Sequence, residues 1–459
     1  MSKVVQENAR IIPDRQTSLT KEQKEAIGLL SVGTFLEYFD LMLYVHMAGL
    51  LNELFFEPTD ARSTSLMMTF AFCATFVFRP IGAVIFGWLG DNIGRKSTVI
   101  ITTFMMAFSC LVMANLPTYA QIGVTATWIV TICRAMQGIS SMGEMTGVEL
   151  YLTETLKPPI QYASVSLIWA FSSLGELVAL GVASLVTSYG FNWRLAFWLG
   201  ATVALIGSVA RTKLRETPEF ADAKRRIKKI FKKTNTDTSG LKDNPMWQEK
   251  VDKKTILAFF LLQCAGPICF YFLYIYCANI LKTNFGYSIA EIIQHNFMVC
   301  LMELITLLTL SYLSFKVYPL VTVKIILIIS AIFILFCPYL LNNINSPYQL
   351  LLIQFVIVLL EECLGTSAPI FYKNFPVFKR FTCVGMVRAV SRALMYIIIA
   401  FGFAYITDYF GHWGLLVVMI PIIIGFAYGL FYFDRLAKKY GDLPIAFRNT
   451  ATYSEENNY

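Results

Sequence analysis

The chain has 459 residues, of which 56% are apolar and only 15% charged, a balance that points away from soluble domains and towards a membrane protein. Twelve helices of about 21 residues would absorb that apolar content, because a helix needs about 20 apolar residues to cross a bilayer. The net charge of +8 is gathered almost wholly into one segment, residues 211–254, which excludes a nucleic-acid footprint. The ten cysteines form no C-x-x-C pair, so a disulfide scaffold and a zinc ribbon are excluded too.

Residues 1–26 carry no cleavable apolar core and read as a cytosolic tail, with the first span acting as its own insertion signal. Apolar runs then fall at about 27–51, 64–89, 97–116, 124–150, 163–189 and 195–210. A basic linker, 211–254, separates them from a second set at about 255–281, 289–314, 320–341, 347–372, 383–407 and 413–433. The expected architecture is all-α: two six-helix bundles, 27–210 and 255–434, with a cytosolic C-terminal tail at 435–459. All but six of the 38 Lys and Arg residues fall on one side of that plan. Arg62, Arg194 and Lys282 take the other side and Arg79, Arg134 and Arg392 lie within spans, so both termini are expected in the cytosol.

A charge inside the hydrocarbon costs about 3 kcal/mol or more and calls for a reason. In the first span Gly33, Glu37, Asp40 and Tyr44 are spaced i, i+4, i+7, i+11, one polar stripe that should face a cavity. In the fourth, Arg134, Gln137, Ser141 and Glu144 repeat the pattern, with Gly138, Gly143 and Gly147 beside them to admit a neighbouring helix. Arg134 is the expected counter-ion of Glu37 or Asp40, and a carboxylate whose partner can leave suits proton coupling. The remaining intramembrane charges are Arg79, Glu176, Glu303, Glu361, Glu362 and Arg392. Spans three, six, nine and twelve are expected on the lipid side. Trp169 shares a face with Ser173 and Glu176, either as packing or as an aromatic wall for a cationic head group. His46, His295 and His412 stand apart, without an expected role.

Between spans two and three stands Gly87-Trp88-Leu89-Gly90-Asp91-Asn92-Ile93-Gly94-Arg95-Lys96. It puts a carboxylate where it can meet a helix N-terminus and two cations at the membrane face. It resembles the G-x-L-[GA]-D-R-x-G-R-[RK] signature of the major facilitator superfamily, with Asn92 where Arg or Lys is usual. Gly33 to Asp40 resembles the G-x-x-x-E-W-[FY]-D segment of the metabolite:proton symporters within it, the group of proline/betaine, shikimate, citrate and ketoglutarate carriers. Arg79-Pro80-Ile81-Gly82-Ala83, the run Arg134 to Glu144 and Arg215-Glu216-Thr217-Pro218-Glu219-Phe220 are similar to the same group. Met142 and Met145 replace its usual Gly and Trp around Glu144. The second-half loop, Leu313 to Pro319, has Phe315 in place of the Asp and Tyr318 in place of the Gly. The resemblance implies two pseudo-symmetric bundles, alternating access around a central site and proton-driven uptake.

The expected function is therefore secondary active import of a small zwitterionic osmolyte such as proline or betaine. Glu37, Asp40, Tyr44, Arg134, Gln137 and Glu144 would serve coupling or binding, with Gly87, Gly90, Asp91, Gly94, Arg95 and Lys96 as the gate. An organic-acid proton symporter and a non-transporting membrane sensor are the alternatives. No Ser-His-Asp arrangement, phosphate loop or metal-ligand spacing is found, so no enzyme, cofactor or metal is expected. The expected partners are the solute, protons and the lipid bilayer, with the chain a monomer.

Overall fold

The computed structural model describes residues 16–47, 51, 54–56, 78–189, 192–212, 214–219, 221, 222, 225, 250–399 and 404–440. Residues 64–77 of the expected second span, the core of the basic linker (226–249) and the outer parts of both tails lie outside them.

Backbone amides in hydrocarbon have no water to bond, so apolar runs of this length close their hydrogen bonds as helices. The first half gives α1 (Lys21–His46), α2 (Arg79–Asn92), α3 (Arg95–Asn115), α4 (Val124–Thr155), α5 (Ile160–Tyr189) and α6 (Trp193–Arg211). The second gives α7 (Lys253–Phe285), α8 (Ile289–Leu313), α9 (Pro319–Asn342), α10 (Pro347–Glu362), α11 (Val377–Ile398) and α12 (Gly414–Tyr440). Among the described residues the only β feature is an isolated bridge, Gln16 with Pro159. Eight of the described helices are long and apolar enough by themselves to span a membrane.

Among the described residues two helices are broken, both in the second half. α7 is interrupted at Cys264, where Gly266 and Pro267 follow, and carries a π turn at Phe272–Tyr276; such turns are common where a helix serves a site. α10 stops at Glu362 and resumes as the short helix Ala368–Tyr372.

The halves meet chiefly along two helix pairs, α2 on α11 and α5 on α8, with α4 also touching α11. The α5–α8 seam runs antiparallel, with Ser311 donating to the Ala163 carbonyl (2.9 Å) and Cys300 to the Ser173 carbonyl (3.3 Å). Small side chains allow such close contact between membrane helices. As expected, α3, α6, α9 and α12 present apolar outer faces, for example Ile325, Ile328, Ile332 and Phe336 on α9 and Val417, Ile424 and Phe431 on α12.

Candidate functional site

A cavity of about 110 Å³ lies between the halves. From the first half it is lined by Tyr38 and Met42 of α1, Arg79 of α2 and Trp169, Ser173 and Glu176 of α5. From the second it is lined by the broken stretch of α7 around Gly266-Pro267, Glu303 of α8, Glu361 and Glu362 at the break of α10, and Arg388, Arg392 and Tyr396 of α11. The lining therefore carries three guanidinium groups and four carboxylates. Oxygens of Glu176, Glu361 and Glu362 are buried without a hydrogen-bond partner, whereas Glu303 accepts from the Tyr274 hydroxyl at 2.9 Å. Unpaired charge is costly in a low-dielectric interior, so this chamber is built to receive something polar.

The loop motif closes one end. Asp91 accepts the backbone N–H groups of Phe381 (3.0 Å) and Thr382 (2.8 Å) near the start of α11. Glycines make that approach possible: a Cβ on Gly87 would stand 2.8 Å from the Thr382 backbone, and one on Gly90 would strike the Phe381 ring. Arg95 is fully buried and holds Glu154 of α4 through two bonds (3.0 and 3.1 Å), the Gly90 carbonyl at 2.6 Å and, across the halves, the Val377 carbonyl at 2.7 Å. Glu154 also meets Arg380 of α11 (3.1 Å), which reaches Glu219 (2.8 Å). Burial pushes the Glu154 carboxyl up, but Arg95 and Arg380 beside it bring it below the usual carboxylate range. The Arg215 to Phe220 segment supplies the remainder: Glu216 accepts the Arg95 backbone N–H at 3.0 Å, capping α3, and Thr217 donates to Glu154 at 2.7 Å. Lys96 sits half-buried beside this network.

The matching second-half turn has no such carboxylate. There Tyr318 packs edge-on against Tyr162 of α5, so the α5–α8 side is closed by aromatic and hydroxyl contacts.

The polar stripe of α1 departs from expectation. Tyr38, Leu41 and Met42, on the neighbouring face, line the cavity; Glu37 and Asp40 turn into the first half. Asp40 accepts from Gln137 of α4, which takes a 2.8 Å bond from Arg134, and the Arg134 guanidinium lies 3.9 Å over the Tyr44 ring. Arg134 thus serves Asp40 through Gln137. Glu144 is paired with Arg211 and accepts from Thr102 (3.1 Å) and Thr103 (2.8 Å), so it too lies away from the cavity. Glu37 keeps one buried oxygen without a partner, within the fields of Glu144 and of Arg79, Arg392 and Arg211.

Three further charges join the interior. Arg211, assigned by the sequence to the linker, ends α6 inside the bundle, bonding the Leu29 (3.1 Å) and Leu30 (3.0 Å) carbonyls of α1. Gly33 is what leaves it room, since a Cβ there would collide with the guanidinium. Arg388, counted as a loop cation, is buried against Glu149 (2.8 Å) and Tyr372, and Glu149 itself went unnoticed within the fourth span. The signal available was the pairing of Glu149 with Glu144, five residues before it, which places two acids on different faces of α4 and so calls for two cations.

Comparison with known proteins places these features in context. The family model described as Major Facilitator Superfamily matches residues 30–377. The proline/betaine transporter of Escherichia coli (strain K12) is 30% identical over 281 residues, covering 58% of this chain and 54% of that protein. Its namesake in Salmonella typhimurium (strain LT2) is 29% identical over 277 residues, with the same shares. The chain thus spans about half the length of the curated relatives it matches. Among solved structures, the proton:xylose symporter XylE bound to 6-bromo-6-deoxy-D-glucose superposes with a TM-score of 0.71 at 14% identity, over 90% of this chain and 95% of that one.

Proposed function

The chain belongs to the major facilitator superfamily, and from that membership we propose that it is a proton-coupled symporter of a small zwitterionic solute, of the proline or betaine type. The observation that carries this reading is the two-signed cavity between the halves: Arg79 and Arg392 face a solute carboxylate, while Glu361 and Glu362 with the Trp169 ring face its ammonium. Four carboxylates in one chamber disfavour a di- or tricarboxylate, while Arg79 and Arg392 in the same lining keep an organic monoacid as the second reading.

Glu37 is the residue we assign to the coupling proton. Of the three carboxylates expected to serve coupling, it has an oxygen without a hydrogen-bond partner, whereas the carboxylates of Asp40 and Glu144 are engaged by Gln137 and Arg211. The bundles, 27–210 and 255–434, rock about the cavity, and the distribution of Lys and Arg puts the loop-motif end in the cytosol. The conformation described here is then the one shut towards the cytosol. The gate residues Gly87, Gly90, Asp91, Gly94, Arg95 and Lys96 hold it.

Proteoliposomes with an imposed pH gradient test the proposal. Uptake of labelled proline or betaine should follow the inward proton gradient and lose its pH dependence in Glu37→Gln. Solute binding with no flux at any gradient would instead favour a membrane sensor.

A further inference from the structure

The charges of the cavity divide into two groups, and the solute reading uses only one of them. Glu361 and Glu362 stand at the break of α10, whereas Glu176 of α5 and Glu303 of α8 face each other across the seam between the halves. A carboxylate oxygen of Glu176, one of Glu303 and the Cys300 sulfur lie within 4.8 Å of one another. Both acids are buried, at 5% and 4% exposure. Glu176 Oε1 has no hydrogen-bond partner. The seam at this level is tight, for Cys300 bonds the Ser173 carbonyl one turn before Glu176.

The surroundings of this pair decide its charge state. From α7 comes the Tyr274 hydroxyl, bonded to Glu303 at 2.9 Å. From α8 comes the Cys300 thiol, and from α10 come Glu361 and Glu362, which add negative charge. Arg392 of α11 acts on Glu361, and Arg388 is committed to Glu149. Two carboxylates this close, in hydrocarbon, with further acids beside them and no ion pair to a cation among the described residues, cannot both be ionised while the seam stays shut; one proton between them turns repulsion into a hydrogen bond.

We propose that Glu176 and Glu303 share a proton across the α5–α8 seam, forming a second proton site separate from Glu37 and tying the halves together. When the pair gives up that proton to the cavity, both groups become carboxylates, and their repulsion acts on the seam. Because one partner belongs to each bundle, the site couples protonation directly to the relative position of the halves. This inference rests on the symporter reading for its transport consequence, but the proton itself is observable without any solute.

Infrared spectroscopy of the full chain in nanodiscs tests it, by following the carbonyl stretch of protonated carboxylic acids. The double variant Glu176→Gln/Glu303→Gln should lose one such band at neutral pH that Glu37→Gln retains. Tyr274→Phe, which leaves both carboxyls in place and removes one donor, should shift that band. In proteoliposomes the double variant should move one proton fewer per solute, read from the gradient at which net flux reverses. A band and a stoichiometry unchanged in the double variant, or a band indifferent to Tyr274→Phe, overturns the proposal. If no solute is transported at all, the symporter reading fails, while the infrared result still decides the site.

Discussion

Asp40, Glu144 and Glu154 of the first half and the acids of the cavity are the same residue types and differ in whether their partners are already present. Glu144 has Arg211, Asp40 has Gln137 relayed to Arg134, and Glu154 has Arg95 and Arg380. Glu176, Glu361 and Glu362 each keep an oxygen with no partner. The difference separates charges that hold the bundle from charges held in reserve. An ion pair closed within one lobe fixes helix register, whereas an acid left open beside water-accessible space is available to a solute or a proton.

Substitutions can break this contrast. The largest effect is expected for Arg95→Ala, which leaves buried Glu154 with Arg380 as its one remaining cation and removes bonds to two carbonyls; thermal unfolding of detergent-solubilised protein should show a loss of about 4 kcal/mol. Glu144→Gln leaves Arg211 buried without its carboxylate and should cost about 3 kcal/mol by the same measurement. Asp91→Ala removes two charge-assisted bonds that exist only while this end is shut. It should weaken the closed state by about 2 kcal/mol, seen as faster labelling of a cysteine placed in the cytosolic mouth and slower cycling in liposomes. Glu361→Gln sharpens the comparison in the opposite sense: relieving like charge should leave stability unchanged or raise it by about 1 kcal/mol while uptake falls. Equal destabilisation by Glu144→Gln and Glu361→Gln would erase the distinction. The smallest effect is expected for Arg215→Ala, whose pair with Glu22 is solvent-exposed at 3.1 Å, with a change within about 0.5 kcal/mol.

Acid titration probes the paired side without substitution. The Glu154 carboxyl is held below its ordinary value by Arg95 and Arg380 against the upward push of burial. Its contribution is therefore fully present above the ordinary carboxylate range and is lost only as pH falls through the lowered value. Melting temperature against pH should show the Arg95–Glu154 latch intact near neutrality and weakening only in acid, a dependence that Glu154→Gln abolishes.

The twelve-span plan was legible because the bilayer fixes the length of each apolar run, and the loop motif because its glycines and charges are local. Pairing was not. Which face of α1 meets the cavity depends on how α1 is rotated against α4 and α6, and the partners that set that rotation, Gln137 and Arg211, lie far away in sequence. Arg211 lies beyond the sixth expected span because span ends drawn by hydropathy stop at the first cation, whereas a buried cation answering Glu144 continues the helix inward; Arg388 falls inside the 383–407 run, and only its distant partner Glu149 marks it as buried rather than cytosolic. The breaks in α7 and α10 leave only partial marks, Gly266-Pro267 in one case and the doubled Glu361-Glu362 in the other.

The seating of Arg211 over Gly33 has a consequence for biosynthesis. Its guanidinium reaches α1 backbone carbonyls, Thr103 on α3 and Glu144 on α4 at once, yet it is the last residue of α6. A nascent chain with five helices delivered to the membrane therefore carries an acid awaiting its cation, and the lobe locks only when the sixth leaves the ribosome. Truncation after α5 should yield a chain that inserts but is cleared by quality-control proteases, whereas one ending just past Arg211 should persist.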